Sequence, residues 1–347
     1  MSFDIWPPVT PTELESKAKQ AQDRELEWIA RRTIAACREL KLGLEGCYAL
    51  LAPAEPGSTL VMSTPRNEKV KGTITRVGTR IVKGSLGLQL RMMPPQTLTL
   101  APAHDIPVPA LEDLHIRLTE SIDLLALVLS HAEARAPDAH SLSSALRLLT
   151  DSIASAVALL KGPPVGDPLR DWTSESVAPT SFAPPLGPNL SFYIAVRECA
   201  VVLWLRVLEP VNAPVHLGTR LGLVIGTLRR LEHDEMDLVF RYKKNDDDDG
   251  GGGGGGGPFS SGASVYTLPP PRSSASTFSG FSGFSGFSNF SAAAPRGYEN
   301  VYVREKVRVE SADPNLISLH AKLGYLSIML AQARRNLAAV MNAELEI

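Results

Sequence analysis

The residues best suited to chemistry in this chain are seven histidines, three cysteines and a serine-rich tract, and none of them falls into a catalytic spacing. His104, His115, His131, His140, His216, His233 and His320 are scattered, and there is no HExxH pair to put two imidazoles on one helix face. His233-Asp234-Glu235 is the one histidine beside two carboxylates, the combination that acid–base or metal chemistry needs. It falls at an expected turn between strands and reads as a solvated polar turn. Gly250 to Gly257 would suit a phosphate cradle only if a strand led in and a helix led out; neither signal is there, and no GxxxxGK[ST] occurs. No GxSxG elbow accompanies the serines. Cys37, Cys47 and Cys199 form no CxxC, so reduced, buried thiols are expected rather than a disulfide framework or a zinc site. The residues thus predict no catalytic, cofactor-binding or metal-binding site.

Charge narrows the partners. The 347 residues carry 35 Lys+Arg and 37 Asp+Glu, a net charge of −2. Asp246 to Asp249 against Arg272 and Arg296 account for that surplus, which leaves the remainder neutral. A neutral chain lacks the basic excess that displaces counterions from nucleic acid or holds a protein to an anionic bilayer. No continuous apolar run reaches the roughly 18 residues of a membrane span. The N-terminus, Met1 to Pro8, lacks the basic and apolar regions of a secretory leader. A cytoplasmic protein is expected.

Five helices are predicted. The first opens on Thr10-Pro11-Thr12-Glu13, a capping box with proline at N1, and can stop at Gly43 or Gly46. The second starts at Pro109 and the third at Ser141, ending at Gly162. The fourth is read over 189–209, before Pro210. In the fifth, Asp313-Pro314 precedes Leu316, Leu319, Leu323, Leu326, Leu330, Ala333, Leu337 and Val340, a heptad seam that serves either an intramolecular bundle, the favoured reading, or a dimerising zipper. Alternation predicts strands at 59–62, 69–75, 79–82, 86–92, 220–230, 236–242 and 298–310. The tract 245–297 holds 13 Gly, 11 Ser and 5 Pro, too little apolar surface to fold. Its Phe278, Phe281, Phe284, Phe287 and Phe290 repeat reads as a tolerated insertion, the alternative being a multivalent sticker segment. The expected architecture is α+β: a discontinuous antiparallel, leucine-zipper-like bundle (11–50, 109–210, 313–345), a smaller, mostly antiparallel β domain (57–102, 214–243, 298–311) and a linker at 245–297.

Four patches in fixed order bear a family likeness: Glu25 to Ile29; Val70 to Gly78 continuing through Leu88 to Met92; Phe182 to Leu186 leading into Leu190 and Phe192 to Ile194, and closing at Leu208-Glu209-Pro210; and Tyr302 to Val309 followed by the leucine-rich helix. In these the chain resembles the Rogdi leucine-zipper family, whose fungal members are the small accessory subunit of the RAVE complex. The resemblance implies a bundle plus a β domain and a non-enzymatic role in joining the peripheral and membrane sectors of the vacuolar proton-ATPase. The partners it implies are a large β-propeller scaffold (a Rav/DmX-like protein), the SCF adaptor Skp and pump subunits, met at vacuolar or endosomal membranes, with the chain a monomer by itself. The tract 245–297 departs from the family as an insertion. The competing expectation is a coiled-coil scaffold that dimerises through the C-terminal leucine helix in an unrelated complex.

Overall fold

The computed structural model describes residues 10–65, 68–134, 138–163, 171–212, 233–244 and 297–341. Helix α1 (Pro11–Tyr48) begins where the Thr10 hydroxyl accepts the Glu13 N–H. It runs through Gly43 without stopping; a Cβ there would overlap Leu326, so glycine is what lets the two helices approach. Helices α2 (Pro109–Ala134), α3 (Ala139–Lys161) and α4 (Pro314–Met341) complete the helical set. α1 packs on α2 and α4, and α3 packs on α2 and α4, so the four close into a ring.

The strands form two antiparallel sheets. In one, β1 (Ser58–Ser63), β2 (Val70–Val77), β3 (Arg80–Leu88), β4 (Gln96–Leu100) and β6 (Phe182–Ala183) lie side by side, with the short β5 (Ile106–Pro107) on β3. The strands expected at 79–82 and 86–92 are parts of one strand, β3, which takes in 80–82 and 86–88 and ends before 89–92. In the other sheet, β7 (Leu190–Arg197), β8 (Ala200–Pro210), β10 (Tyr298–Ala312) and β9 (Val239–Lys243) lie in that order. The sheets face each other across a dry interface, where Ile74, Leu98 and Phe182 meet Phe192, Ile194 and Leu203 around a residual cavity of about 10 Å³. The architecture is α+β, with four helices and two antiparallel sheets among the described residues.

The expected fourth helix is a correction. Residues 189–209 form the β7–β8 hairpin, turned by Glu198 and Cys199 at positive φ (47° and 58°). Both faces of this hairpin are covered, so its apolar residues run without alternation, and such a run does not distinguish a buried strand from a buried helix. The hairpin turn plugs the end of α3: the Glu198 and Cys199 N–H groups donate to the carbonyls of Lys161 and Leu160, which have no partner in the helix itself. Gly162, at φ +67°, closes α3 against Val196.

The strand expected at 220–230 and nearly all of the tract 245–297 lie outside the described residues. The strands flanking that tract do pair: β9 runs antiparallel to β10, from Lys243 opposite Tyr298 to Val239 opposite Tyr302. By length and composition α3 is apolar enough to cross a membrane, although charged residues interrupt it. Its buried residues recur every three or four positions, Leu142, Leu146, Leu149, Ile153, Ala156 and Leu160, while Arg147 and Asp151 are exposed.

The leucines of α4 turn into this interior. Leu316, Leu319, Leu323, Leu326, Leu330 and Leu337 are buried, and Val340 is half-buried. Leu323→Ala or Leu330→Ala should each lower unfolding free energy by about 2–5 kcal/mol. Urea denaturation measures it, and a change below about 1 kcal/mol at both sites would show that they do not pack as described.

Candidate functional site

Three charged residues stand at buried positions among apolar neighbours: Arg76 after Val70, Gly72 and Ile74; Arg206 inside the unalternating β8 run; and Glu305 between Val303 and Val307. Each is at most 2% exposed. A buried charge is tolerated only with a partner, and each partner turns out to lie on a distant segment.

Arg76 Nε donates to Asp313 Oδ2 at 2.6 Å, and Asp313 is fully buried. The other carboxylate oxygen accepts the Asn315 N–H at 2.9 Å, which caps α4, and the Ser58 hydroxyl at 3.2 Å. The Asp313 N–H donates to Cys199 O in the hairpin turn. One side chain thus joins β1, β2 and the start of α4, while its backbone holds the turn that plugs α3.

Glu305 repeats the device between the sheets. Its carboxylate accepts Lys69 Nζ at 2.6 Å and the Arg91 N–H at 2.8 Å, both beyond the facing sheet's strand ends. A register shift between Val303 and Glu305 aims it there.

The third cluster lies on the opposite face of the second sheet. Arg206 clasps Glu235 with two hydrogen bonds, at 2.8 and 3.1 Å. Its guanidinium carbon sits 4.5 Å from the Trp172 ring centroid and 5.2 Å from that of Trp204. Lys306 bridges Glu235 at 2.7 Å and Asp234 at 3.0 Å, and approaches Trp204 as well. The His233-Asp234-Glu235 turn is therefore not solvated throughout: Asp234 is exposed, but Glu235 is buried in an ion-pair network.

Electrostatics make this cluster a clamp. Burial acts to raise the Glu235 pKa, but the hydrogen bonds and charge of Arg206, then those of Lys306, outweigh it and hold the carboxyl below its ordinary 4.5. His233 is lowered from 6.5 by burial, with Glu235 pulling the other way. Its Nδ1 accepts the Glu235 N–H, so the neutral ring orders the turn. The thiols of Cys37 and Cys47 are pushed up to about 11 by burial, and Cys199 is raised too; all three cysteines are free and buried. Among the described residues no group of three His, Cys, Asp or Glu side chains could hold a metal. These polar groups hold segments together.

Sequence reasoning found the Asp313 cap but missed Arg76, Glu305, Arg206 and Glu235. For Arg76 and Glu305 the signal was present: a charge at a core position of a period-two pattern announces a buried partner, although not its identity. The seam residues Leu316, Leu319, Leu323, Leu326, Leu330, Leu337 and Val340 lie on α4, away from the sheet clusters except at its first turn, where Leu316 follows Asp313.

The clusters can be tested through stability. Asp313→Ala strands a buried guanidinium and removes a cap, so it should cost about 3–5 kcal/mol; Asp313→Asn, which retains a capping oxygen, should recover about 1 kcal/mol of that. Equal losses in denaturant unfolding would separate the cap from stability. The pH dependence has two steps. A histidine held neutral in the fold binds fewer protons than the unfolded chain, so stability falls as pH drops through 6.5; the Glu235 contribution, present above 4.5, is lost below it. His233→Gln should flatten the upper step and Glu235→Gln the lower, read from urea midpoints at successive pH values.

The chain matches the family described as Rogdi leucine zipper containing protein over residues 25–338. No curated protein matches it. The matched span includes all three buried clusters and the α4 seam to Leu337.

Proposed function

The chain belongs to the Rogdi leucine zipper family, and on that premise we propose that it is a non-catalytic subunit of a RAVE-type complex that promotes joining of the peripheral and membrane sectors of the vacuolar proton-ATPase. It works in the cytoplasm, is recruited peripherally to vacuolar or endosomal membranes, and needs no cofactor. Its partners are the large β-propeller scaffold (a Rav/DmX-like protein), the SCF adaptor Skp and pump subunits. The family match carries this reading. What supports it physically is where the ionisable groups go: the clusters described above spend them on fixing one segment to another, as a binding scaffold requires. The alternative, a scaffold that dimerises through the C-terminal leucine seam, has against it that six seam leucines are buried within the chain.

Cells lacking the protein should hold normal amounts of both pump sectors, poorly joined, with under-acidified vacuoles. Fractionation of vacuolar membranes tests this: undiminished peripheral sector on those membranes would refute the assignment. Affinity purification of the intact protein should recover the propeller scaffold together with pump subunits.

A further inference from the structure

The outer face of α1 and α4 carries more exposed apolar surface than a covered bundle needs. From Pro11 to Glu25 every residue of α1 is exposed, about four turns of helix that no described element covers. An uncovered helix of that length is marginal in water. Farther along, Trp28 (58% exposed), Arg32, Ala35, Glu39 and Leu42 (69%) make an outward stripe at spacings of four and three. Beside it, α4 turns out Ile317, Ala321, Tyr325 (64%) and Ile328 (68%). Gly324, in the same stretch, has open space where a Cβ would stand. Between the helices runs an open groove of about 490 Å³, with Ile29, Ala36, Met329 and Ala333 in its walls.

We propose that this face binds a second copy of the chain, through antiparallel packing of two α1 helices about a twofold axis at Ala35. The register argues for a copy of this chain over another helix. Trp28 and Leu42 are each seven positions from Ala35, so the axis sets Trp28 of one copy against Leu42 of the other. It also brings Arg31 and Arg32 beside Glu39, which has no ion-pair partner of its own among the described residues. Alanine at the axis permits close approach. α1 and α4 run antiparallel, with Gly43 level with Leu326 and Gly46 level with Lys322. Trp28 of the second copy therefore also meets Tyr325 and Ile328. The same register carries the overhang along the rest of the α4 stripe: Ala18 and Ala21 come level with Ile317 and Ala321, and Asp23 with Lys322. One arrangement thus covers the overhang, seats both large aromatics of the patch and pairs the stripe's opposite charges. It departs from the monomer that the family resemblance implies. It uses the face of α4 opposite the leucine seam, so it is distinct from a seam zipper, and it does not depend on the pump-assembly reading.

Sedimentation equilibrium of the full chain at micromolar concentrations should give about twice 37.3 kDa. Tyr325→Glu and Ile328→Glu, at exposed positions, should leave thermal unfolding of the dilute protein unchanged and weaken the dimer at least tenfold. Arg32→Glu or Glu39→Arg alone should weaken it, and the two together should restore it. Ala35→Cys should form an intermolecular disulfide on mild oxidation, since the native thiols are buried. A wild-type chain that stays monomeric at about 100 µM overturns the proposal. So does a dimer that survives both Glu substitutions, or one in which the Ala35→Cys variant fails to cross-link.

Discussion

The buried Arg76–Asp313 pair is the contact on which the arrangement of the two layers depends. Asp313 is the last residue before α4 and follows directly from β10, so whatever fixes it fixes the angle at which a sheet hands over to the bundle. Its side chain takes Arg76 from one sheet and caps the helix, while its N–H holds the β7–β8 turn that closes α3. Removing two charges from water is costly, and such a pair adds little net stability over an apolar substitute. What it supplies is geometry, because a hydrogen-bonded ion pair of this kind has one satisfactory arrangement and the alternatives leave a buried charge unpaired.

Glu305 extends that logic eight residues upstream. It is held by Lys69 and by the Arg91 N–H, so a single segment, from Glu305 to Asp313, is docked on the facing sheet at two points. Between those points Val307 and Val309 enter the shared apolar core, which continues from the space between the sheets into the bundle. Apolar burial supplies most of the stabilisation, and it is non-directional. The two carboxylates set the register in which that burial occurs. The Arg206–Glu235–Lys306 network does the same on the far face, where it fastens the 233–238 turn against Trp172 and Trp204.

Much of the local structure was legible. The Thr10 and Asp313 caps, Gly162, the leucine spacing of α4 and the alternation in β2 and β10 act between near neighbours, and near neighbours are what periodicity and capping report. The β7–β8 hairpin was not legible, because a strand covered on both faces loses the alternation that marks it. β5 and β6 are too short to carry a pattern at all, and each is a strand only because a partner was already in place.

The candidate clusters divide along the same line. Residue order alone starts the first and last helices at their caps, Thr10 and Asp313, sets the leucine spacing of α4, and ties the ordered patches to one family. It took the packed fold to bring Arg76 to Asp313 and Glu305 to Lys69, to bury Glu235 rather than leave it solvated, and to leave particular faces of α1 and α4 uncovered. The physical reason is separation along the chain: Arg76 and Asp313 are 237 residues apart. A pairing over that distance is fixed by how whole sheets and helices stack, and no local preference of either residue encodes it.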